Sequence, residues 1–107
     1  MAYYLARARP KTHLMAELEQ QLAQSAFITM RPFGHSLTYG LCGLRLESDD
    51  TVVWEEEDYC SPPLAMERAA VLDKYFTDIQ VENVRQGEGW AHINNLPRLF
   101  PDLSSTR

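Results

Sequence analysis

The fold can be predicted from one stretch of the chain, Leu44-Arg-Leu-Glu-Ser-Asp-Asp-Thr-Val-Val-Trp-Glu-Glu-Glu-Asp58. Its central Ser-Asp-Asp triplet has the composition of a turn. Apolar residues precede this turn, and β-branched and aromatic residues follow it. We therefore predict a β-hairpin whose strands are residues 37–46 and 51–57. Gly40 and Gly43 fall inside the first strand, where we interpret them as marks of a bulge.

The register of this hairpin depends on the length of its turn. A three-residue turn places Leu46 opposite Val52 and Leu44 opposite Trp54. A two-residue turn instead places Leu44 opposite Glu55. We favour the three-residue turn because it pairs apolar side chains with one another twice.

Strands and helices alternate on both sides of the hairpin. Residues 2–9 and 78–84 alternate in polarity and predict two further strands. Residues 12–25 and 61–76 carry apolar side chains at helical spacing and predict two helices, while residues 26–30 predict a brief extended stretch. The resulting order βαββαβ is that of a ferredoxin-like α+β fold, in which one antiparallel sheet carries two helices on one face. The alternative is a meander of three or four strands with the N-terminal residues in a loop.

We assign residues 1–86 to this single α+β domain and residues 87–107 to a C-terminal arm, which Pro97 and Pro101 keep from forming a long helix. The sheet face opposite the helices should bear apolar side chains, which need a cover. The residues expected on that face are Tyr39, Leu41, Val53, Tyr59 and one of Tyr3 and Tyr4. The cover is either the arm or a second copy of the chain, and we expect a homodimer.

Composition and charge limit the class of protein. The chain has 107 residues, of which 45% are hydrophobic and 23% are charged, and its formal net charge is -5. These values are typical of one globular domain and exclude collagen-like and wholly disordered chains. The basic residues form no stripe, so we expect no nucleic-acid partner. The chain has no run of about 18 apolar residues and no signal-peptide pattern, so we expect no membrane partner and a soluble, cytoplasmic protein.

The two cysteines, Cys42 and Cys60, form no C-x-x-C motif. In the favoured register Cys60 lies opposite Thr38, which is roughly 13 Å along the strand from Cys42 at about 3.3 Å per residue. A disulfide requires Cα atoms closer than about 7 Å. We therefore predict two free thiols, as expected in a reducing compartment.

The acidic run at residues 55–58 is the most pronounced chemical feature of the sequence. Strand alternation sends Glu55 and Glu57 to one face and their neighbours to the other, so we expect no metal site there. We predict instead a solvated acidic hairpin that docks a basic protein partner. The leading functional prediction is a small bacterial-type, non-enzymatic protein–protein interaction module of the adaptor, inhibitor or immunity kind.

The alternative function is a small dimeric ligand-binding protein or enzyme with a pocket between the sheet and the arm. The residues predicted to bind in one or other of these functions are Tyr39, Trp54, Glu55, Glu57, Tyr59 and Trp90. His35, in a predicted loop, and Cys60, just before a predicted helix, are weak catalytic candidates. No catalytic motif, phosphate-binding loop or cofactor motif is present, so we expect no cofactor and lean against an enzyme.

Overall fold

The computed structural model describes residues 2–103, and within this range the chain forms an α+β fold. Its strands are β1 (Ala2–Pro10), β2 (Arg45–Ser48), β3 (Thr51–Asp58) and β4 (Phe76–Val84). Its α-helices are α1 (Met15–Ala23), α2 (Gly34–Cys42), α3 (Ala65–Glu67), α4 (Asp73–Tyr75) and α5 (Glu88–Ile93). The strands form one antiparallel sheet in the order β2-β3-β1-β4. The predicted α+β class and antiparallel sheet are confirmed.

The predicted βαββαβ order is met only in part, because the chain has more helices than it requires. Both α1 and α2 lie between β1 and β2, and α5 follows β4. The π-helical turn Arg68–Leu72 joins α3 to α4, so residues 65–75 form one continuous helix, here called the 65–75 helix. Within residues 2–103, no helix has the length and apolar character needed to cross a bilayer.

The strand predicted at residues 37–46 is wrong over most of its length, because α2 occupies it up to Cys42. Phe33, Leu37, Leu41 and Leu44 are buried, and their spacing follows the helical period. The glycines that were interpreted as bulges serve helix packing instead. A Cβ on Gly40, for example, would lie only 2.8 Å from Cδ1 of Trp54. The stretch at residues 26–30 forms turns and is not extended.

The predicted hairpin register is correct away from the turn, where Leu46 pairs with Val52 and Arg45 with Val53, and it is wrong next to the turn. Leu46 pairs with Val52 as predicted, but the ladder then shifts so that Ser48 pairs with Thr51 across a two-residue turn. The predicted pair of Leu44 with Trp54 does not form, because Leu44 precedes β2.

Cys42 and Cys60 do not form a disulfide with each other, as predicted, although the argument from register fails because Cys42 lies at the end of α2.

The two faces of the sheet carry separate apolar clusters. The main core includes Val52 and Trp54 of β3 and packs against α1, α2 and the 65–75 helix. The opposite face holds Leu5 and Val53, which pack against Ile93 of α5. The expectation that Tyr39 and Leu41 lie on this second face as strand residues is wrong, because both belong to α2. The division into a domain 1–86 and an arm 87–107 stays a prediction.

The edge strand β4 is irregular and mostly exposed. Its pairing with β1 shifts between Arg7 and Arg9. Asp78 of β4 has a φ of 54°, a left-handed conformation that interrupts an extended strand. The outer edge of the sheet therefore has a local break close to one end.

Candidate functional site

The predicted solvated acidic edge at residues 55–58 is wrong for most of its carboxylates. Glu55, Glu56 and Asp58 are 4%, 2% and 2% exposed, and Glu57 is half-buried. Alternation along β3 places Glu55 and Glu57 on the face with Val53, while Glu56 and Asp58 point to the face with Trp54. The four acids therefore belong to two different environments, and they do not form an outward docking surface.

Glu55 holds the start of α5 against the sheet. Its Oε2 accepts a hydrogen bond of 2.8 Å from the backbone N–H of Gly87. Its Oε1 accepts hydrogen bonds of 2.7 Å from Gly89 and 3.1 Å from Trp90. The first N–H groups of a helix have no partner within the helix, and a carboxylate can accept their hydrogen bonds. Its negative charge is also stabilised by the positive end of the helix dipole. Glu55 thus has a structural role that sequence reasoning did not identify.

An open cleft of about 470 Å³ lies between the end of β3, the start of α2 and the turn that precedes α5. It brings together five residues that the sequence singled out: His35, Tyr39, Glu55, Glu57 and Trp90. The other lining residues are Tyr3, Ser36, Gln86 and Gly87. Among the lining residues that the structure describes there is no lysine or arginine, so the fixed charge of the cleft is negative.

Glu57 is the carboxylate whose hydrogen bonds come from the cleft itself. Tyr3 donates its hydroxyl to Oε2 at 3.3 Å, and Ser36 donates Oγ–H to Oε1 at 3.4 Å. Burial, followed by the charge of Glu57, raises the pKa of the Tyr3 phenol. The hydrogen bond to Glu57 likewise raises the pKa of Tyr59, with burial as the second cause. Both phenols therefore stay protonated, and the Tyr3 hydroxyl donates to the carboxylate.

Aromatic rings form one side of the cleft. Tyr39 and Trp90 meet edge to face, with ring centroids 6.0 Å apart and planes at 89°. Tyr39 is 45% exposed, and Tyr59, close to Glu57, is 46% exposed. An aromatic face near a carboxylate attracts a cation, because the ring quadrupole and the negative charge act in the same direction.

Two of the predicted site residues do not lie where the sequence predicted them. Trp54 is fully buried, and its Nε1–H donates to Oε1 of Glu56 at 2.9 Å, so it belongs to the core and does not line the cleft. His35 lies in the first turn of α2 and not in a loop. It lines the cleft beside Ser36, whose hydroxyl donates to Glu57 and is therefore not aligned as a nucleophile towards His35.

Cys60, the second catalytic candidate, lies in a buried acidic cluster on the other side of β3. Its thiol donates to Oε1 of Glu67 at 3.6 Å. Burial is the main cause that raises the pKa of Cys60, and the nearby carboxylates add to it. Burial also raises the pKa of Glu67, and it raises that of Glu56 well above its usual range. A thiol in this setting is a poor nucleophile, because the thiolate is the reactive form.

Sequence reasoning missed Tyr3, Ser36, Gln86 and Gly87 in the cleft and Glu67 in the acidic cluster. A signal for Glu67 was present. Glu67 falls at helical spacing with the buried Leu64, Val71 and Tyr75, so it lies on the apolar stripe of the 65–75 helix. No comparable pattern connects the residues of the cleft, which come from four separate parts of the chain.

Comparison with protein-family models, with curated proteins and with solved structures finds no match for this chain.

Proposed function

We infer that this protein binds an organic cation in the cleft between β3, α2 and the start of α5. The ligand class is an amine, a guanidinium or a quaternary ammonium group. One observation carries this inference: the Glu57 carboxylate lies in the same cleft as the rings of Tyr3, Tyr39 and Trp90, with no lysine or arginine among the lining residues described. The inference follows the alternative function expected from the sequence, a pocket between the sheet and the C-terminal segment.

The size and chemistry of the cleft agree with this class of ligand. Small-molecule sites usually have volumes of about 300–1,000 Å³ and combine apolar walls with a few polar groups. The cleft of about 470 Å³ lies in this range. A cation over an aromatic ring gains about 0.5–2 kcal/mol, and a hydrogen bond to a carboxylate adds about 1.5–3 kcal/mol.

The cation has two chemical sources, a free small molecule or a lysine or arginine side chain of a protein. The cleft is open, and Tyr39 and Tyr59 are exposed, which leaves room for a side chain presented by a basic partner. If the cation is a side chain of a basic protein partner, the protein is still the expected interaction module of the adaptor type. Its docking surface is then the cleft and not the acidic hairpin. We propose binding without catalysis, because the Ser36 hydroxyl donates to Glu57.

The remaining expectations from the sequence stay part of this proposal. The strand order β2-β3-β1-β4 supports a ferredoxin-like sheet, with α2 and α5 as additions. A homodimer and a cytoplasmic location rest on the sequence arguments alone.

The proposal is tested by titrating the full chain with choline, cadaverine, free arginine and a lysine-rich peptide. Calorimetry gives the affinity, and tryptophan fluorescence reports on the cleft because Trp90 lines it while Trp54 is buried. Binding of the small amines identifies a free ligand, whereas binding of the peptide alone identifies a basic protein partner. If none of the four probes binds, the proposed function is wrong.

Two variants and a control locate the binding site. Glu57→Gln should weaken binding about 10-fold or more, because the neutral amide loses the charge but keeps the shape. Tyr39→Ala should weaken it by about 3- to 10-fold, because the ring is lost from an exposed position. Asp49→Asn, in the exposed hairpin turn, is the matched control and should bind as the wild type does. Equal affinity in the Glu57 variant and the wild type would place the ligand elsewhere.

A further inference from the structure

The buried acidic cluster behind β3 consists of Glu56, Asp58, Cys60 and Glu67. Glu56 and Asp58 lie on the same face of β3, Cys60 follows that strand, and Glu67 comes from the 65–75 helix. The side-chain donor atoms of Asp58, Cys60 and Glu67 all lie within 4.8 Å of one another. The three carboxylates are buried, and Cys60 is half-exposed. The cluster thus combines oxygen and sulfur ligands at one point.

The backbone after β3 wraps around Asp58 and fixes this arrangement. The N–H of Cys60 donates to Oδ1 of Asp58 at 3.0 Å, and the N–H of Leu64 donates to Oδ2 at 2.9 Å. These bonds orient the Asp58 carboxylate and bring Sγ of Cys60 to 3.6 Å from Oε1 of Glu67. Each carboxylate oxygen of Asp58 keeps a second lone pair for another partner.

An independent observation indicates that the cluster lacks a countercharge. Oε2 of Glu56 and Oε2 of Glu67 are buried and accept no hydrogen bond from an N–H or hydroxyl group of the described residues, so a proton shared between the two carboxyls is the partner available to them. Within the part of the chain that the structure describes, no lysine, arginine or histidine forms an ion pair with Glu56, Asp58 or Glu67. A buried carboxylate without a countercharge is unfavourable, so either protons or a cation must neutralise the cluster.

We propose that Asp58, Cys60 and Glu67, together with Glu56, bind a divalent transition-metal cation, for which Zn²⁺ is the best match. In a tetrahedral zinc site, a sulfur at about 2.3 Å and an oxygen at about 2.1 Å from the metal lie about 3.6 Å apart. This is the separation between Sγ of Cys60 and Oε1 of Glu67. A sulfur ligand selects against Mg²⁺ and Ca²⁺, which prefer sites made of oxygen alone.

Binding changes one bond at the cysteine. The Sγ–H bond breaks, its proton leaves to water, and the thiolate forms the bond to the metal, while a proton held by the ligating carboxyl groups leaves to water in the same way. The half-exposed Cys60 provides the route by which the ion enters. The bound metal then links the end of β3 to the 65–75 helix, so we assign it a structural role. The cation cleft lies on the opposite face of β3, and this site does not depend on it.

The first experiment uses the full chain without any substitution. The protein is stripped with a chelator and titrated with Zn²⁺ by calorimetry, and its thermal unfolding is recorded with and without the metal. We expect one Zn²⁺ per chain and, with free metal at about 100 times the dissociation constant, a rise in Tm of about 10 °C. Co²⁺ in place of Zn²⁺ should give a sulfur-to-cobalt charge-transfer band. A chain that shows neither stabilisation by Zn²⁺ nor a cobalt–sulfur band has a cluster neutralised by protons, and the metal site is then refuted.

Two variants assign the ligands, and two controls exclude binding elsewhere. Glu67→Gln should weaken zinc binding by at least about 100-fold, and its metal-free form should still fold because a buried charge has been removed. Cys60→Ser should abolish the cobalt–sulfur band. Cys42→Ala, which removes the other cysteine, and Asp49→Asn, which removes an exposed carboxylate, should retain both signals. A cobalt–sulfur band that survives in Cys60→Ser but disappears in Cys42→Ala would overturn the assignment.

Discussion

The carboxylate of Glu55 on β3 accepts a hydrogen bond of 2.7 Å from the backbone N–H of Gly89, at the first turn of α5. This contact joins residues 34 positions apart and fixes the C-terminal segment on the sheet. A Cβ on Gly89 would lie 2.9 Å from the same carboxylate oxygen, so the glycine permits the close approach. One wall of the candidate cleft is therefore held in place by a buried acid on β3.

Glu55→Gln should destabilise the fold. The carboxylate uses both oxygens to accept N–H groups, whereas glutamine has a single acceptor and presents an NH₂ group to the remaining donor. Leaving a buried donor without a partner costs about 1–3 kcal/mol. Urea unfolding should show this loss, and Glu82→Gln, at an exposed position, should stay within about 0.5 kcal/mol of the wild type. An unchanged urea midpoint in the Glu55 variant would contradict the capping role.

Gly40→Ala should also destabilise the protein, although alanine favours helices. In an exposed helix the change from glycine stabilises by about 1 kcal/mol. At Gly40 the new Cβ would meet Trp54 Cδ1 at 2.8 Å and the backbone oxygen of Glu55 at 3.1 Å, and such overpacking costs about 1–3 kcal/mol. The test is the urea midpoint, with Gln20→Ala on the exposed side of α1 as a control that should change little. A stabilised Gly40 variant would show that α2 does not pack this closely on β3.

Ile93→Ala tests whether α5 covers the sheet of its own chain. Ile93 is buried against Leu5 and Val53, so its truncation should cost about 2–5 kcal/mol. The drop in thermal midpoint caused by the substitution should be the same at low and high protein concentration, because α5 of the same chain covers this face and the proposed homodimer does not need it. A drop that becomes smaller as the concentration rises would instead show that a second copy of the chain covers this face.

The ion pair and hydrogen bond at Glu17 predict one pH dependence. Lys74 binds the Glu17 carboxylate, and the Tyr75 hydroxyl donates to its Oε2 at 2.8 Å. The hydrogen bond from Lys74, followed by that from Tyr75, lowers the pKa of Glu17. A lowered pKa stabilises the fold at neutral pH, and this contribution is lost as the pH falls through the pKa of the folded state.

Glu17→Gln should therefore unfold at a lower urea concentration than the wild type at pH 7. The difference should narrow below about pH 4, where the wild-type carboxyl also becomes protonated. Glu19→Gln, on the same helix, is the control and should leave the midpoint at pH 7 nearly unchanged. A gap between the Glu17 variant and the wild type that stays constant down to pH 3 would exclude this ion pair as its cause.

The sequence predicted the helices and strands in which apolar residues recur at a regular spacing. It failed in α2, where glycines interrupt that spacing. β1 and β4 were located by alternation, β3 by β-branched and aromatic residues after a turn, and α1 by leucines at helical spacing. α2 was predicted as a strand because Gly40 and Gly43 were interpreted as strand bulges, although the spacing of Leu37 and Leu41 is that of a helix. The local pattern does not show that Gly40, which has no side chain, makes room for the Trp54 ring.

The burial of the acids on β3 is a tertiary effect that local pattern does not contain. Alternation correctly separated Glu55 from Glu56, but it does not reveal what covers either face. The donors that satisfy Glu55 come from residues 87–90, and the partner of Cys60 comes from the 65–75 helix. Most members of the cleft were named from the sequence, yet Tyr39 was placed on a strand. The residues were recognised by their chemistry, and their arrangement required the fold.

The left-handed backbone at Asp78 affects how the exposed edge of the sheet can pair with a strand of another molecule. β4 is the longest exposed border of the sheet, and an uninterrupted border of this kind invites a strand from another molecule to add to it. At Asp78 the run of backbone donors and acceptors is broken, and a negative charge stands beside the break. A foreign strand could not pair continuously along the whole of β4, so the irregularity shortens the uninterrupted border to residues 79–84.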